Sequence, residues 1–424
     1  MPEKLRREKC SLARQQRSPR TLPGSIAEVR YTGFAVMKIL VSAGEASGDR
    51  YSAQLVEALR KHLPEAEFFG CAGPHLREAG VRPVVRAEQL AVVGIFEVIA
   101  HIPRIWREFR RLAAAARQER PLLAILTDSP DFHLRLARKL HREGIPVFYY
   151  VAPQVWAWRK RRVRLLERFV DQLLCIFPFE ESFFRAHNIQ ATFVGHPLHG
   201  AVATRIPREE FFRKYALEER RPLVALLPGS RRGEASRHLP ELMNAVELLQ
   251  QWRPLNFVLP ASTTTGKRFF EERISNTSVH IIEGETEDAV GHADLALVAS
   301  GTATVEAALL GTPMVVFYRV SAATWIVGKP LVNVAHYSMV NLLAGRAIVP
   351  ELIQGDFTGE RLAAEAKRLL ENEADRTRMR EELKVVERSL RAKRPAAERA
   401  AEVIRDALKS RGVLPSEAPG SLEG

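Results

Sequence analysis

From Met37 onward, short apolar runs alternate with stretches whose apolar residues recur at helical spacing, the pattern of successive βα units and a parallel sheet. Runs at Lys38–Ala43, Glu67–Gly70, Leu122–Thr127, Val147–Val151, Gln172–Ile176 and Thr192–Gly195 read as strands, with helices such as Arg50–His62 and Phe132–Glu143 between them. A polar, Pro-containing stretch over 201–221 interrupts the alternation. Strand-like runs then resume at Leu223–Leu227, Asn256–Leu259, Val279–Ile282, Asp294–Val298 and Met314–Phe317. The pattern predicts an α/β protein with two Rossmann-like, doubly wound parallel-sheet domains, 37–200 and 222–358, joined by that linker and facing a central cleft. Charge-rich helices over 359–411 and a tail over 412–424 follow. Open α/β sheets bind ligands beyond the carboxyl ends of their strands, so the loops leaving the strands are the places to read for chemistry.

Length and charge narrow the class. A chain of 424 residues can hold two or three domains and a large buried core. Residues 1–36 carry eight Lys and Arg against three Glu, which is +5 of the net +13. This basic leader reads as a disordered tail or as an extension from an upstream start codon, because the strand pattern begins at Met37. The remaining +8 lacks the lopsidedness of a dedicated nucleic-acid binder, and no nucleic-acid partner is expected. Cys10, Cys71 and Cys175 show no CxxC spacing, which argues against a disulfide framework, a zinc finger or an iron–sulfur site. No apolar window is long enough to span a bilayer, and residues 1–36 lack the apolar stretch of a secretory signal.

Four loops carry candidate chemistry. In Gly44-Glu45-Ala46-Ser47-Gly48-Asp49 the glycines permit close backbone approach, Ser47 or Asp49 suits a helix cap, and Glu45 is left to point into the cleft. The loop is not GxGxxG, and no nicotinamide cofactor is indicated. In Thr127-Asp128-Ser129-Pro130-Asp131-Phe132 an apolar strand ends in two carboxylates. Asp128, at the strand tip, suits a rigid, partly dehydrated general base, whereas Asp131 suits capping of the next helix. In Pro228-Gly229-Ser230-Arg231-Arg232-Gly233-Glu234 a helix N-terminus and a guanidinium are suited to a diphosphate. In Ser300-Gly301-Thr302-Ala303-Thr304-Val305-Glu306, Ser300, Gly301 and Thr302 can wrap phosphate while Glu306 accepts from ribose hydroxyls. Together the last two loops suggest a sugar-nucleotide pocket. No DxD triplet and no His, Cys or carboxylate cluster with metal-ligand spacing is found, so no metal or other cofactor is expected and leaving-group charge falls to Arg231 and helix dipoles. His196 and His199 read as hinge residues.

The segment Val92–Arg111 has another character. Ile95, Val98, Ile99, Ile102, Trp106 and Phe109 fall near helical spacing among Arg104, Arg107, Arg110 and Arg111. Such a basic amphipathic stripe suits a membrane surface or a core-packed helix with a solvated face, and Pro103 argues against one straight helix. Trp156 and Trp158, among the cations Arg159–Arg162, can face an acyl chain, a phosphate or the core.

Seven motifs in order then carry a resemblance: GEASGD at 44–49, LAVVGIFEV at 90–98, TDSPDF at 127–132, PQVWAWR at 153–159, LLPGSRRGE at 226–234, ASGTATVE at 299–306 and NLLAGR at 341–346. From Met37 to about residue 400 the chain resembles the lipid-A-disaccharide synthase family, inverting glycosyltransferases of GT-B architecture. The resemblance implies condensation of UDP-2,3-diacylglucosamine with 2,3-diacylglucosamine 1-phosphate, giving a β(1→6) disaccharide 1-phosphate and UDP. It implies Asp128 as the base that deprotonates the acceptor 6-hydroxyl and Arg231 as the residue that steadies the departing diphosphate. Glu45, Ser230, Glu306 and Asn341 align with cleft positions. Because both substrates carry acyl chains, the stripe from Ile95 to Phe109 is expected to touch the membrane, with the enzyme peripheral at the cytoplasmic face of the inner membrane. A homodimer exchanging C-terminal segments is also implied. One departure is Val340, where the family often has Pro, which bears on the loop that places Asn341.

Overall fold

A computed structural model describes residues 37–89, 95–156, 162–262, 264–275, 278–322, 324–325 and 334–415. The basic leader, Trp158 with Arg159–Arg161, the end of the tail and the side chains of Ile95, Val98 and Ile99 lie outside what is described.

The first sheet is built from β1 (Lys38–Ala43), β2 (Glu67–Ala72), β3 (Arg82–Arg86), β4 (Leu123–Thr127), β5 (Val147–Tyr150), β6 (Gln172–Cys175) and β7 (Ala191–Phe193) in the order β3-β2-β1-β4-β5-β6-β7. The second is built from β8 (Leu223–Leu227), β9 (Asn256–Ala261), β10 (Val279–Glu283), β11 (Leu295–Ala299), β12 (Met314–Tyr318) and β13 (Glu351–Ile353) in the order β10-β9-β8-β11-β12-β13. The pairings are parallel, as in β1 with β4 and β8 with β11. β4, β8 and β11 are buried along their whole length, which is why each reads as an unbroken apolar run.

β3 and β13 escape the sequence pattern for a physical reason. Both are edge strands; β3 carries Arg82, Pro83 and Arg86, and β13 has three residues, so neither buries enough on both faces to show an apolar run. Pro103 does not divide the amphipathic segment: Ile95–Glu119 is one helix with the proline inside it. The ring sits at an exposed position, and burial of Leu112, Ala113 and Ala116 anchors the turns that follow.

The C-terminal helices tie the two sheets together. Helix Glu373–Leu390 belongs to the second half, and helix Ala396–Ser410 returns to pack on helix Ala46–His62 of the first, burying Ile404 and Leu408. At the crossover the His196 N–H donates to the Leu390 carbonyl at 3.0 Å and His199 Nε2 lies 2.6 Å from Glu387 Oε1. The two histidines thus sit where the chain passes between the halves.

Candidate functional site

The strand orders put β1 beside β4 and β8 beside β11, where each sheet's winding reverses and a crevice opens beyond the strand ends. The loops leaving those four strands are the ones that carry Glu45, Asp128, Arg231 and Ser300–Thr302.

Beyond β4 the backbone turns sharply: Asp128 has φ +55° and Ser129 φ +39°. Non-glycine residues in this left-handed region cost of order 1–3 kcal/mol each and concentrate at functional sites. The turn lays the Asp128 carboxylate over the start of helix Ala46–His62, where Oδ1 accepts from the Gly44 N–H at 3.0 Å and Oδ2 from the Glu45 N–H at 3.2 Å. A Cβ at position 48 would stand 1.6 Å from Asp128 Oδ2, so glycine is required there for the carboxylate to approach the helix. Burial first, and then the Glu45 charge, push the Asp128 carboxyl up to about 8 against the pull of the Ser129 hydroxyl and the two amides. A carboxylate so tuned can take a proton near neutral pH. Asp131, expected to cap the next helix, does not occupy the cap: helix Pro130–Arg142 starts earlier, Ser129 stands at its N-cap, and the Asp131 carboxylate pairs with Arg162.

From the other sheet, Arg231 stands at the N-cap of helix Arg232–Trp252 and its Nη2 donates to Glu45 Oε2 at 2.7 Å. Their side chains remain 57% and 46% exposed, so both are open to a ligand. The carboxylate of Glu45 beside it holds the Arg231 guanidinium above its ordinary value. Glu45 therefore joins the two walls: its backbone N–H holds Asp128 and its side chain holds Arg231. Ser230 is exposed, and its carbonyl accepts from the Thr265 hydroxyl at 2.7 Å, which fixes the loop. Behind Arg231 lie two residues that the sequence reading missed as a unit, Glu234 and Tyr318. Burial raises the Glu234 carboxyl while the Tyr318 hydroxyl bonds to it, and burial together with Glu234 pushes Tyr318 up to about 12.

The fourth loop is arranged less uniformly. Gly301 and Thr302 are exposed at the start of helix Thr302–Leu309, but the Ser300 hydroxyl donates to the Tyr337 carbonyl at 2.9 Å. Glu306 is half-buried, and its carboxyl is raised by burial and then by Glu287, with Arg50 opposing. Arg50 and Glu287 form a second ion pair between the halves at 3.8 Å. Asn341 is fully buried, and its side chain serves the interior: Nδ2 donates to Val349 O and Glu351 Oε1, and Oδ1 accepts from the Ile348 and Val349 amides. It knits the turn over 338–351 and offers no surface to a ligand. Val340 is buried in the first turn of helix Met339–Ala344, where a backbone N–H has no intrahelical acceptor, so a proline there would forfeit no helix hydrogen bond.

On helix Ile95–Glu119 the stripe is split. Phe109 packs edge-on to Phe132, while Trp106, stacked on Phe109 at 5.1 Å, is 51% exposed and Ile102 is 53% exposed. Glu108 is buried, held by Arg107 at 3.3 Å and Arg111 at 2.8 Å. Trp156 is half-buried, its Nε1 donating to Glu180 Oε1 at 3.1 Å. Among the described residues no helix is long and apolar enough to cross a membrane, and no cluster of His, Cys, Asp and Glu could hold a metal.

The chain is similar to known proteins over most of its length. The model of the family described as lipid-A-disaccharide synthetase matches residues 39–405. The lipid-A-disaccharide synthase of Solibacter usitatus (strain Ellin6076) is 60% identical over 372 residues, covering 88% of this chain and 98% of its own. That of Koribacter versatilis (strain Ellin345) is 44% identical over 377 residues, covering 87% and 98%. Among solved structures, the UDP-GlcNAc 2-epimerase of Neisseria meningitidis bound to UDP-GlcNAc superposes with a TM-score of 0.58 at 13% identity, covering 88% of this chain and 100% of that one. The calicheamicin glycosyltransferase CalG4 gives 0.57 at 16% identity, covering 89% and 99%. At such identities these structures speak for the fold, two facing Rossmann-like sheets. With most of its length matched by the family model and its relatives this similar, the chain belongs to the lipid-A-disaccharide synthase family.

Proposed function

We propose that Asp128 is the general base and Arg231 the leaving-group clamp of an inverting glycosyl transfer carried out in the cleft between the two sheets. The chain is a glycosyltransferase of lipid A disaccharide synthesis. UDP-2,3-diacylglucosamine and 2,3-diacylglucosamine 1-phosphate condense to the β(1→6) disaccharide 1-phosphate and UDP. Asp128 takes the proton of the acceptor 6-hydroxyl as that oxygen bonds to the anomeric carbon from the face opposite the nucleotide. The bond from the anomeric carbon to phosphate breaks, and its electron pair leaves on the diphosphate, whose charge meets the Arg231 guanidinium and the N-terminus of helix Arg232–Trp252. The observation that carries this reading is the span of Glu45, one residue bonded to Asp128 at 3.2 Å and to Arg231 at 2.7 Å. Gly301, Thr302 and Glu306 complete the nucleotide side, Ser230 shapes the phosphate loop, and Asn341 acts through the turn it holds together.

The substrates' acyl chains suit a site beside a bilayer, and the exposed Ile102 and Trp106 with Arg104, Arg107, Arg110 and Arg111 suit a peripheral contact with the cytoplasmic face of the inner membrane. The homodimer implied by the family resemblance would exchange helix Ala396–Ser410, which packs within its own chain here; light scattering of the purified protein gives its mass.

The test of activity is an assay of the purified protein with both diacylated substrates. Disaccharide and released UDP are expected, with Asp128→Ala slower by roughly 10²–10⁴. Turnover of unacylated UDP-N-acetylglucosamine without use of the diacylated donor would assign the cleft to another reaction, such as epimerisation.

A further inference from the structure

Behind Asp128, on the side away from the cleft, lies a buried polar cluster that the transfer chemistry does not use. His133, Ser42 and Tyr149 are each fully buried, on helix Pro130–Arg142, β1 and β5 respectively. His133 Nδ1 stands 2.8 Å from the backbone carbonyl oxygen of Asp128, and its Nε2 stands 2.8 Å from Ser42 Oγ. The Tyr149 hydroxyl donates to the same Asp128 carbonyl. A carbonyl only accepts, so Nδ1 carries the imidazole proton and Nε2 accepts from the Ser42 hydroxyl. Phe132 and Tyr149 flank the imidazole edge-on. Burial lowers His133 to about 4, which keeps the ring neutral and this donor pattern fixed through the physiological range.

The carbonyl that receives these two donors belongs to the residue with φ +55°, the first of two consecutive left-handed positions. Aspartate tolerates the left-handed region better than most residues but still at a cost, and relaxation of the 128–129 peptide would swing the carboxylate off the Gly44 and Glu45 amides. We infer that His133 is a positioning residue for the glycosyl transfer: by donating from Nδ1 to the Asp128 carbonyl, with Ser42 fixing its tautomer and Tyr149 as a second donor, it locks the strained turn that aims the catalytic carboxylate into the cleft. The inference rests on Asp128 being the base.

The test compares His133→Leu, which has no donor, with His133→Asn, whose amide nitrogen reaches the place of Nδ1. His133→Leu is expected to lower kcat at least tenfold with KM for the UDP-sugar within twofold of the parent, and His133→Asn to bring kcat back to within about threefold. A parental kcat in His133→Leu, losses of equal size in the two variants, or a rise in KM that accounts for the loss overturns the inference. If thermal melts show that His133→Leu does not fold, Tyr149→Phe is read instead. It removes one hydroxyl donor to the same carbonyl at nearly constant volume; a lowered kcat at constant KM supports the lock, and an unchanged kcat overturns it. Asp128→Ala run in parallel separates the two claims, since an active Asp128→Ala defeats the base assignment itself, whereas an inactive one beside equal His133 variants defeats only the lock.

Discussion

Asp128 combines a strained backbone, two amide donors and a proton affinity raised by burial and by Glu45, and the last of these sets the pH profile. A base must be unprotonated in the free enzyme, so kcat/KM should climb with pH and level off above about 8, the value to which the carboxyl is pushed. Glu45→Gln removes the negative neighbour and leaves Arg231 unpaired beside the site, both of which favour the ionised carboxylate. The rising limb should therefore move to lower pH, and a limb that stays in place would remove Glu45 from the account. Asp128 stands out in the sequence because an apolar run closed by Thr127 ends on it, and Arg231 because it opens a helix after a glycine turn. The demand for glycine at position 48 does not, since it arises from a carboxylate 80 residues away in the chain that folds back over the helix. For Asn341, motif alignment points to the cleft, whereas its side-chain amide bonds the Glu351 carboxylate and the backbone of its own turn.

At the scale of the element, helix Ile95–Glu119 mixes two purposes that periodicity alone does not separate. Leu112, Ala113 and Ala116 bury one face, whereas Ile102 and Trp106 stay exposed among four arginines. Burying a side chain of this size in the interfacial region contributes about 2–3 kcal/mol. Trp106→Ser is therefore expected to weaken binding to phosphatidylglycerol vesicles by roughly tenfold or more in co-sedimentation, and added salt to weaken the parent protein through its arginines. Equal partitioning of the variant and the parent would return the stripe to a role in packing. The same scale explains the strands that were and were not legible: central β4, β8 and β11 are apolar on both faces, and edge strands β3 and β13 are not.

Across the whole molecule, the two-sheet architecture follows from alternation read in sequence, but the return of helix Ala396–Ser410 to the first sheet does not, because its partner, helix Ala46–His62, lies more than 300 residues earlier. Ile404 is fully buried in that contact. Ile404→Ala should cost about 2–5 kcal/mol in denaturant unfolding, whereas Lys61→Ala, which breaks an exposed ion pair to Glu398, should cost under about 1 kcal/mol. A near-neutral Ile404→Ala would mean that this helix does not pack where the structure puts it. The same closure brings the walls of the cleft near enough for Glu45 to hold both Asp128 and Arg231.

The division of labour between those walls is tested most directly by titrating UDP into the parent protein, Asp128→Ala and Arg231→Ala by calorimetry, with turnover measured on the same samples. Arg231→Ala should lose both UDP affinity and turnover, while Asp128→Ala should bind UDP as the parent does and lose turnover alone. UDP binding weakened equally in both variants, or turnover retained in Asp128→Ala, would contradict a base on one wall facing a diphosphate clamp on the other.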